Sequence, residues 1–436
     1  MTNSSNPHDR NDGWFHRRAA DALLLLSLLV AIIPETWLPE QVISGAQHAL
    51  WPYLLATVFI FTGYVGRRQG MHPMLALLCF GALWMLALGC LSMHDHGLNK
   101  SFGGDLAIFS AAIGGFMWAA QRDIGAILFQ LRAWTVVTLV GTAITIVALL
   151  AGVLETLGTG NRLLVYSIYW GTWLLTSAFP FLYATADLGA DPELALRRAK
   201  WWRLIALAGL GCVLIVGLIS ATRSVFLSGL AGLLVLAVME ANGRRLNLKI
   251  AVVVGCLGVA AAAGTYTLRS LSSSELGARF QERSFQEDGR FIEWEEMCEE
   301  LEEGLAFIHG KGFGSVFYST AVSDGAGTYV LSPHIGILTT VFKGGICMFF
   351  LCVVVPLVRC VVGLLTSKGG PVPTAACGGV ILYAVMASLS GGWDFKELFL
   401  LGMFLAIAVQ SHRPMAEANL ADGAPHRRRL RTLAVS

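Results

Sequence analysis

A chain of 436 residues that is 55% hydrophobic and 14% charged, with mean hydropathy +0.63, is far more apolar than a soluble domain. Its apolar stretches reach the roughly 20 residues that cross a bilayer as a helix, and none alternates like a membrane β-strand, so the expected class is an all-α integral membrane protein. The net charge of +2 comes from basic residues scattered over loops and tails, which gives no basis for a nucleic-acid surface.

The polar start Met1–Gly13 leads into Arg17, Arg18 and the apolar Ala22–Ile33. Pro34-Glu35-Thr36-Trp37 follows where a small-residue cleavage site would stand, so the first helix is expected to remain uncleaved. Hydropathy then gives twelve spans: Ala19–Ile33, Ala46–Gly66, Pro73–Leu91, Gly104–Ala120, Ala133–Leu154, Leu163–Ala186, Leu204–Ile219, Ser224–Met239, Ile250–Thr267, Gly344–Leu365, Thr374–Leu389 and Leu398–Val409. The apolar piece Ile335–Lys343 reads as a short re-entrant or interfacial segment leading into the tenth span. The chain thus divides into helices 1–9 over residues 1–267, a large loop 268–333, helices 10–12 over 334–410 and a polar, Arg-rich tail 411–436.

Loop charge orients these spans. Most of the 31 Lys and Arg residues fall in one alternate set of loops, including Arg17 and Arg18, Arg67 and Arg68, Arg122 and Arg132, Arg197 to Arg203, Arg359 and Lys368, and the tail. The opposite short loops hold Lys100, Arg162 and Lys396. Positive loops stay cytoplasmic, so both termini are expected inside and the large loop outside. Arg223, Arg269, Arg279, Arg283, Arg290, Lys311 and Lys343 lie on or beside that outer loop against the bias, and this makes them candidates for function. The bland alternative is a solvated loop balanced by its own glutamates.

Within the loop, Arg290–Ile308 has the period of an amphipathic helix. Phe291, Trp294, Met297 with Cys298, Leu301, Leu305 and Ile308 form one face, and a run of glutamates forms a solvated other face. Gly310-Lys311-Gly312-Phe313-Gly314 follows as a flexible turn without the context of a nucleotide-binding loop. Eight of the nine cysteines lie in apolar spans, Cys298 stands alone in the loop, and no CxxC pair occurs, so no metal centre is expected.

The residues that can carry chemistry gather around this loop. His334, between Pro333 and an apolar segment, sits at the outer boundary, where a neutral imidazole accepts a proton from a hydroxyl. Arg223 lies in Ser220-Ala221-Thr222-Arg223-Ser224 between two apolar helices, a costly place for a guanidinium that meets no anion. Small hydroxyl residues such as Ser224 leave room for a phosphate and add hydrogen bonds. Arg290 opens the loop helix, and its planar fork suits phosphate oxygens. A structural salt bridge is the alternative for Arg290.

Together, Thr222-Arg223-Ser224, Gly289-Arg290 with Trp294, Lys311-Gly312-Phe313-Gly314, Pro333-His334 and Lys343-Gly344-Gly345-Ile346 resemble the O-antigen ligase and polymerase family of bacterial envelope glycan enzymes. Ile335 departs from that pattern, which usually has Asn after the histidine. The resemblance implies a GT-C-like fold in the bacterial inner membrane, with a glycan moved from undecaprenyl diphosphate to an acceptor hydroxyl on the periplasmic face. By the same resemblance, His334 is the general base, and Arg223 and Arg290 bind the diphosphate. Ser224, Lys311 and Arg283 are supporting candidates, and no cofactor or metal is expected. The implied acceptor is lipid A-core for a ligase and another lipid-linked repeat for a polymerase. The competing class is a transporter or flippase, disfavoured because the spans carry almost no charge at depth.

Overall fold

A computed structural model describes residues 16–27, 45–65, 71–96, 100–150, 175–188, 192–219, 223–241, 289–302, 305–320, 328–330, 333, 335–366, 370–389 and 395–410. About 89% of this structure is helical, the form in which a chain in lipid satisfies its own backbone groups. In order come α1 (16–27), α2 (Gly45–Val65), α3 (Pro73–His96), α4 (Lys100–Ala120), α5 (Ile124–Leu150), α6 (Phe179–Ala184), α7 (Pro192–Ile219) and α8 (Arg223–Glu240). The later elements are α9 (Gly289–Glu302), α10 (Ala306–His309), the antiparallel pair β1 (Phe317–Ser319) and β2 (Thr328–Val330), α11 (Gly336–Phe349), α12 (Val355–Thr366), α13 (Pro371–Leu389) and α14 (Phe395–Gln410).

Five helices among the described residues are long and apolar enough to cross a membrane: Pro73–Ser92, Phe102–Ala120, Ile124–Ile144, Gly336–Thr366 and Pro371–Leu389. They coincide with the expected third, fourth, fifth, tenth and eleventh spans. Shorter apolar helices at Pro52–Val65, Leu175–Ala184 and Ser224–Glu240 fall on the second, sixth and eighth. The expected ninth span, Ile250–Thr267, lies outside the described residues.

Three boundaries differ most from expectation. Helix α7 starts at Pro192, before the expected Leu204, so Arg197, Arg198, Lys200 and Arg203 belong to the helix and not to a loop. Helix α5 starts at Ile124, before the expected Ala133, so Arg132 belongs to the helix and not to a loop. The tenth span is broken at Gly345, whose φ of 73° interrupts the helix and sets the preceding turns apart from the π-helical turn Phe350–Val354 and α12. A short piece leading into the tenth span is therefore present, with its hinge one residue later than expected.

The core is built on close helix crossings at small residues, as in other membrane bundles. At the crossing of α4 and α14, a methyl group on Gly115 would lie 2.0 Å from the Phe399 carbonyl oxygen, and one on Gly402 would lie 1.9 Å from that of Ala112. The Phe399 ring packs among Tyr53, Trp118 and Trp134. Helices α7 and α8 form an antiparallel hairpin, in which Gly217 meets Phe226, Gly229 meets Leu214 and Gly232 meets Leu210.

The bundle has two distinct ends. At the first, Arg122 at the end of α4 pairs with Asp21 at 2.8 Å and donates to the Arg17 carbonyl, while His72 at the start of α3 stacks on Phe116. At the second, the end of α3 and the start of α4 receive the segment 306–315. The expected large loop and the cationic ends of α1 and α4 therefore lie at opposite ends of the bundle.

Candidate functional site

The loop segment is an ordered layer fastened to the helices. Met297 and Leu301 of α9, Ala306, Phe317 of β1, and Val341 and Phe342 of α11 form a small buried core, with Trp294 packed against it. The expected amphipathic helix stops short. Leu305 adopts a left-handed φ of 70°, a short second helix follows, and Leu305 and Ile308 become exposed where the apolar face was expected to continue. A left-handed leucine ends a helix because its side chain crowds the following carbonyl.

The glutamate run is not uniformly solvated either. Glu293 is buried, and Glu296 accepts bonds from the Thr320 amide and hydroxyl, tying α9 to the end of β1. Burial pushes the Glu296 pKa up, but the bonds from Thr320 and Ser319 outweigh it and hold the carboxyl below its ordinary value.

The glycine turn is the best-packed part of the layer. The Lys311 and Gly312 amides donate to the Phe342 and Lys343 carbonyls, and the Phe313 amide donates to the Met85 carbonyl inside α3. A methyl on Gly310 or Gly312 would strike the Lys343 carbonyl or the Gly89 amide, and both glycines have positive φ. Glycine is required here because two backbones touch. Trp84 of α3 also donates to the His309 carbonyl at 3.0 Å.

Beneath the turn lies an ion pair that sequence reasoning missed. Lys343 of α11 is fully buried, and its Nζ lies 2.7 Å from Asp105 Oδ2 of α4. The same Nζ donates to the Ser315 carbonyl, and Asp105 accepts the Gly314 amide at 2.8 Å. Asp105 lies in the second turn of α4 and Lys343 just before the expected tenth span, so the pair sits toward one end of these spans and not at mid-depth. Asp105 sits alone in an otherwise apolar stretch, and an ionisable residue in such a place was the available signal.

The expected site residues fall as follows. Arg290 donates to the carbonyl of Leu389, the last residue of α13, at 2.5 Å. Arg223 opens α8. Met239, near the other end of α8, packs on Gly378 near the start of α13. Cys377 of α13 shares a cavity with Met74 at the start of α3, which is the His72 and Arg122 end. The start of α9 therefore meets the end of α13, and α8, running antiparallel to α13, begins toward that same end of the bundle, so the starts of α8 and α9 lie on the same side.

A second cavity places the start of α11 there too. It is lined by Gly336, Ile337 and Thr340 of α11, Ala384 and Ala387 of α13, and Leu398 of α14. His334, two residues before Gly336, and Arg283 lie outside the described residues.

Of the supporting candidates, Ser224 is buried with no hydrogen-bond partner for its Oγ among the described residues, and Thr339 near the start of α11 leaves its Oγ1 in the same condition. Lys311 is engaged by Glu300 at 3.1 Å. Ile335 is the N-cap of α11 and offers no side-chain cap. Among the described residues, no group of three or more His, Cys, Asp or Glu side chains is placed to hold a metal ion. In comparison with known proteins, no family model and no curated protein matches this chain.

Proposed function

We propose that this chain is a membrane glycosyltransferase of the O-antigen ligase and polymerase type, embedded in the bacterial inner membrane with both termini cytoplasmic. It has the twelve-span GT-C-like arrangement and places residues 268–333 in the periplasm. The enzyme moves a glycan from undecaprenyl diphosphate to an acceptor hydroxyl, in the ligase direction to lipid A-core. The observation that supports this reading best is the gathering of the starts of α8, α9 and α11, and with them Arg223, Arg290 and the residue next to His334, at one end of the bundle opposite Arg17 and Arg122.

In this reading His334 takes the proton of the acceptor hydroxyl as its oxygen attacks the anomeric carbon of the donor sugar. The bond from that carbon to the diphosphate oxygen breaks, and the electron pair leaves with undecaprenyl diphosphate. Arg223 and Arg290 stabilise the charge that develops there, the task for which fixed guanidinium groups in a low-dielectric setting are suited. The Ser224 hydroxyl, without a partner among the described residues, supplies a further donor at the start of α8.

The buried Asp105–Lys343 pair favours a second reading, a polytopic transporter, because ionisable groups among spans often mark a transport path. Both of its charges, however, are already bonded to the glycine turn through Gly314 and Ser315, which fits a fixed support better than a moving relay.

The test is lipid-linked glycan analysis in a deletion strain complemented with wild type or His334→Ala. Long chains accumulating on the lipid carrier support the ligase direction. Single repeats on the acceptor support the alternative, a polymerase that extends the lipid-linked repeat. His334→Ala is expected to abolish transfer at normal membrane abundance, and wild-type glycans in that variant would remove histidine as the base.

A further inference from the structure

The His72 and Arg122 end of the bundle, away from the proposed active site, holds a pair of thiols. Cys360 of α12 and Cys377 of α13 are buried, and their side chains are hydrogen-bonded to each other. Gly363, one turn after Cys360, makes room for this contact, because a methyl there would lie 2.7 Å from Cys377 Sγ. A single cysteine in an apolar span is a small hydrophobe, but two thiols meeting across a helix pair also form a two-sulfur donor set.

The space around them fits that role. Both cysteines line a cavity of about 260 Å³. Thr366, the last residue of α12, and Val409, next to the last of α14, bring it to the end of the bundle. Met74 at the start of α3 lines the same cavity. Helices α3 and α12 run in opposite directions, since Met85 meets Gly344 and Gly81 meets Cys352. Two turns further along that register, Met74 comes level with Arg359 and Cys360, which adds a thioether to the two thiols. Arg359 is exposed and also lines the cavity.

These features select among ligands. Thiolate and thioether sulfurs favour soft cations such as Cu(I). Zinc takes four ligands in a closed site, and among the described residues no third Cys, His, Asp or Glu stands with the pair. Metal–thiolate bonds of roughly 2.3 Å bridge sulfurs up to about 4.6 Å apart, a span that thiols in hydrogen-bonding contact already meet. Two thiolates around a monovalent ion leave one net negative charge, which the Arg359 guanidinium offsets.

We propose that Cys360 and Cys377, with Met74 as a weaker third ligand, bind one Cu(I) ion that ties α12 to α13. Binding releases the two thiol protons to water and forms a copper–sulfur bond at each cysteine, with no change of oxidation state. The site is independent of the glycosyl-transfer reading. The full chain, purified in detergent under anaerobic reducing conditions, is titrated with Cu(I) against a colorimetric Cu(I) chelator, and with Zn(II) in parallel. One equivalent of copper should be retained, and X-ray absorption should show it bound by two or three sulfurs. Cys360→Ser and Cys377→Ser should each weaken retention roughly 100-fold or more, since even the loss of an outer partner costs up to that much. Met74→Leu should weaken it less, and Cys298→Ser should leave it unchanged.

Wild-type retention by either serine variant, preference for Zn(II), or copper bound through nitrogen or oxygen would overturn the proposal. So would a Cys360–Cys377 disulfide in protein alkylated inside the cells before purification. Should the serine variants fail to fold, thermal unfolding decides. Cu(I) should raise the wild-type midpoint more than that of Met74→Leu, and an unmoved wild-type midpoint sinks the site.

Discussion

Lys343 and Asp105 join two helices and a loop through a single buried pair of charges, so their removal has a predictable order of effects. Asp105→Ala leaves a fully buried ammonium with only the Ser315 carbonyl, which should cost about 3–5 kcal/mol, measured as thermal unfolding in detergent. Asp105→Leu combined with Lys343→Met removes both charges and should recover part of that loss. Recovery stays incomplete because the Gly314 amide and Ser315 carbonyl lose their partners. A double variant no more stable than Asp105→Ala would show that uncompensated charge is not the source. At this scale the sequence was unevenly legible. His334, Arg223 and Arg290 stood out because cations and a base at an outer boundary are conspicuous. Asp105 did not, because its meaning depends on Lys343, a residue distant in the chain. Glu293 and Glu296 were read as solvated because a run of glutamates on a helix normally is, yet one is buried and the other is enclosed by Thr320.

Elements were easier to read than their ends. Apolar runs located α3, α4, α5, α11 with α12, and α13 because a helix in lipid needs length and apolarity more than any cap. The start of α5 differs from expectation because an arginine between apolar runs normally marks a loop, whereas Arg132 stays within the helix with its guanidinium packed over the Trp202 ring. The end of α9 was misjudged because the apolar period continues through Leu305 and Ile308 while the backbone turns left-handed at Leu305. What periodicity could not show is which helices touch, and the glycines settle that here. Gly402→Val should destabilise the bundle by about 3 kcal/mol or more, since the added carbon meets the Ala112 carbonyl and a backbone has little room to yield. Gly104→Ala on the same α4, where a methyl meets nothing within 4 Å, should be neutral or stabilising by up to ~1 kcal/mol. Equal thermal midpoints for the two variants would contradict a close α4–α14 crossing.

For the whole molecule, the decisive property is that its two ends differ. Charge counting assigned Arg17, Arg122 and Arg359 to one side and Arg290 and Lys311 to the other. The helices reproduce that partition without reference to charge, through the packing of His72 on Phe116 at one end and the insertion of Phe313 beside Met85 at the other. Agreement between an insertion rule and a packing arrangement is informative because the two have separate physical origins, one in translocation and one in contact. It yields a test that does not depend on any activity. In an otherwise cysteine-free chain, Glu299→Cys on the exposed face of α9 should react with a membrane-impermeant maleimide in cells whose outer membrane alone is permeable. Lys200→Cys on α7 should react only after the inner membrane is opened. Labelling of both positions from the same side would break the assignment of the loop layer to the periplasm, and with it the case for a glycan acceptor arriving there. The reverse pattern would turn the protein over and place the loop layer on the cytoplasmic side, where the proposed site would need a different substrate.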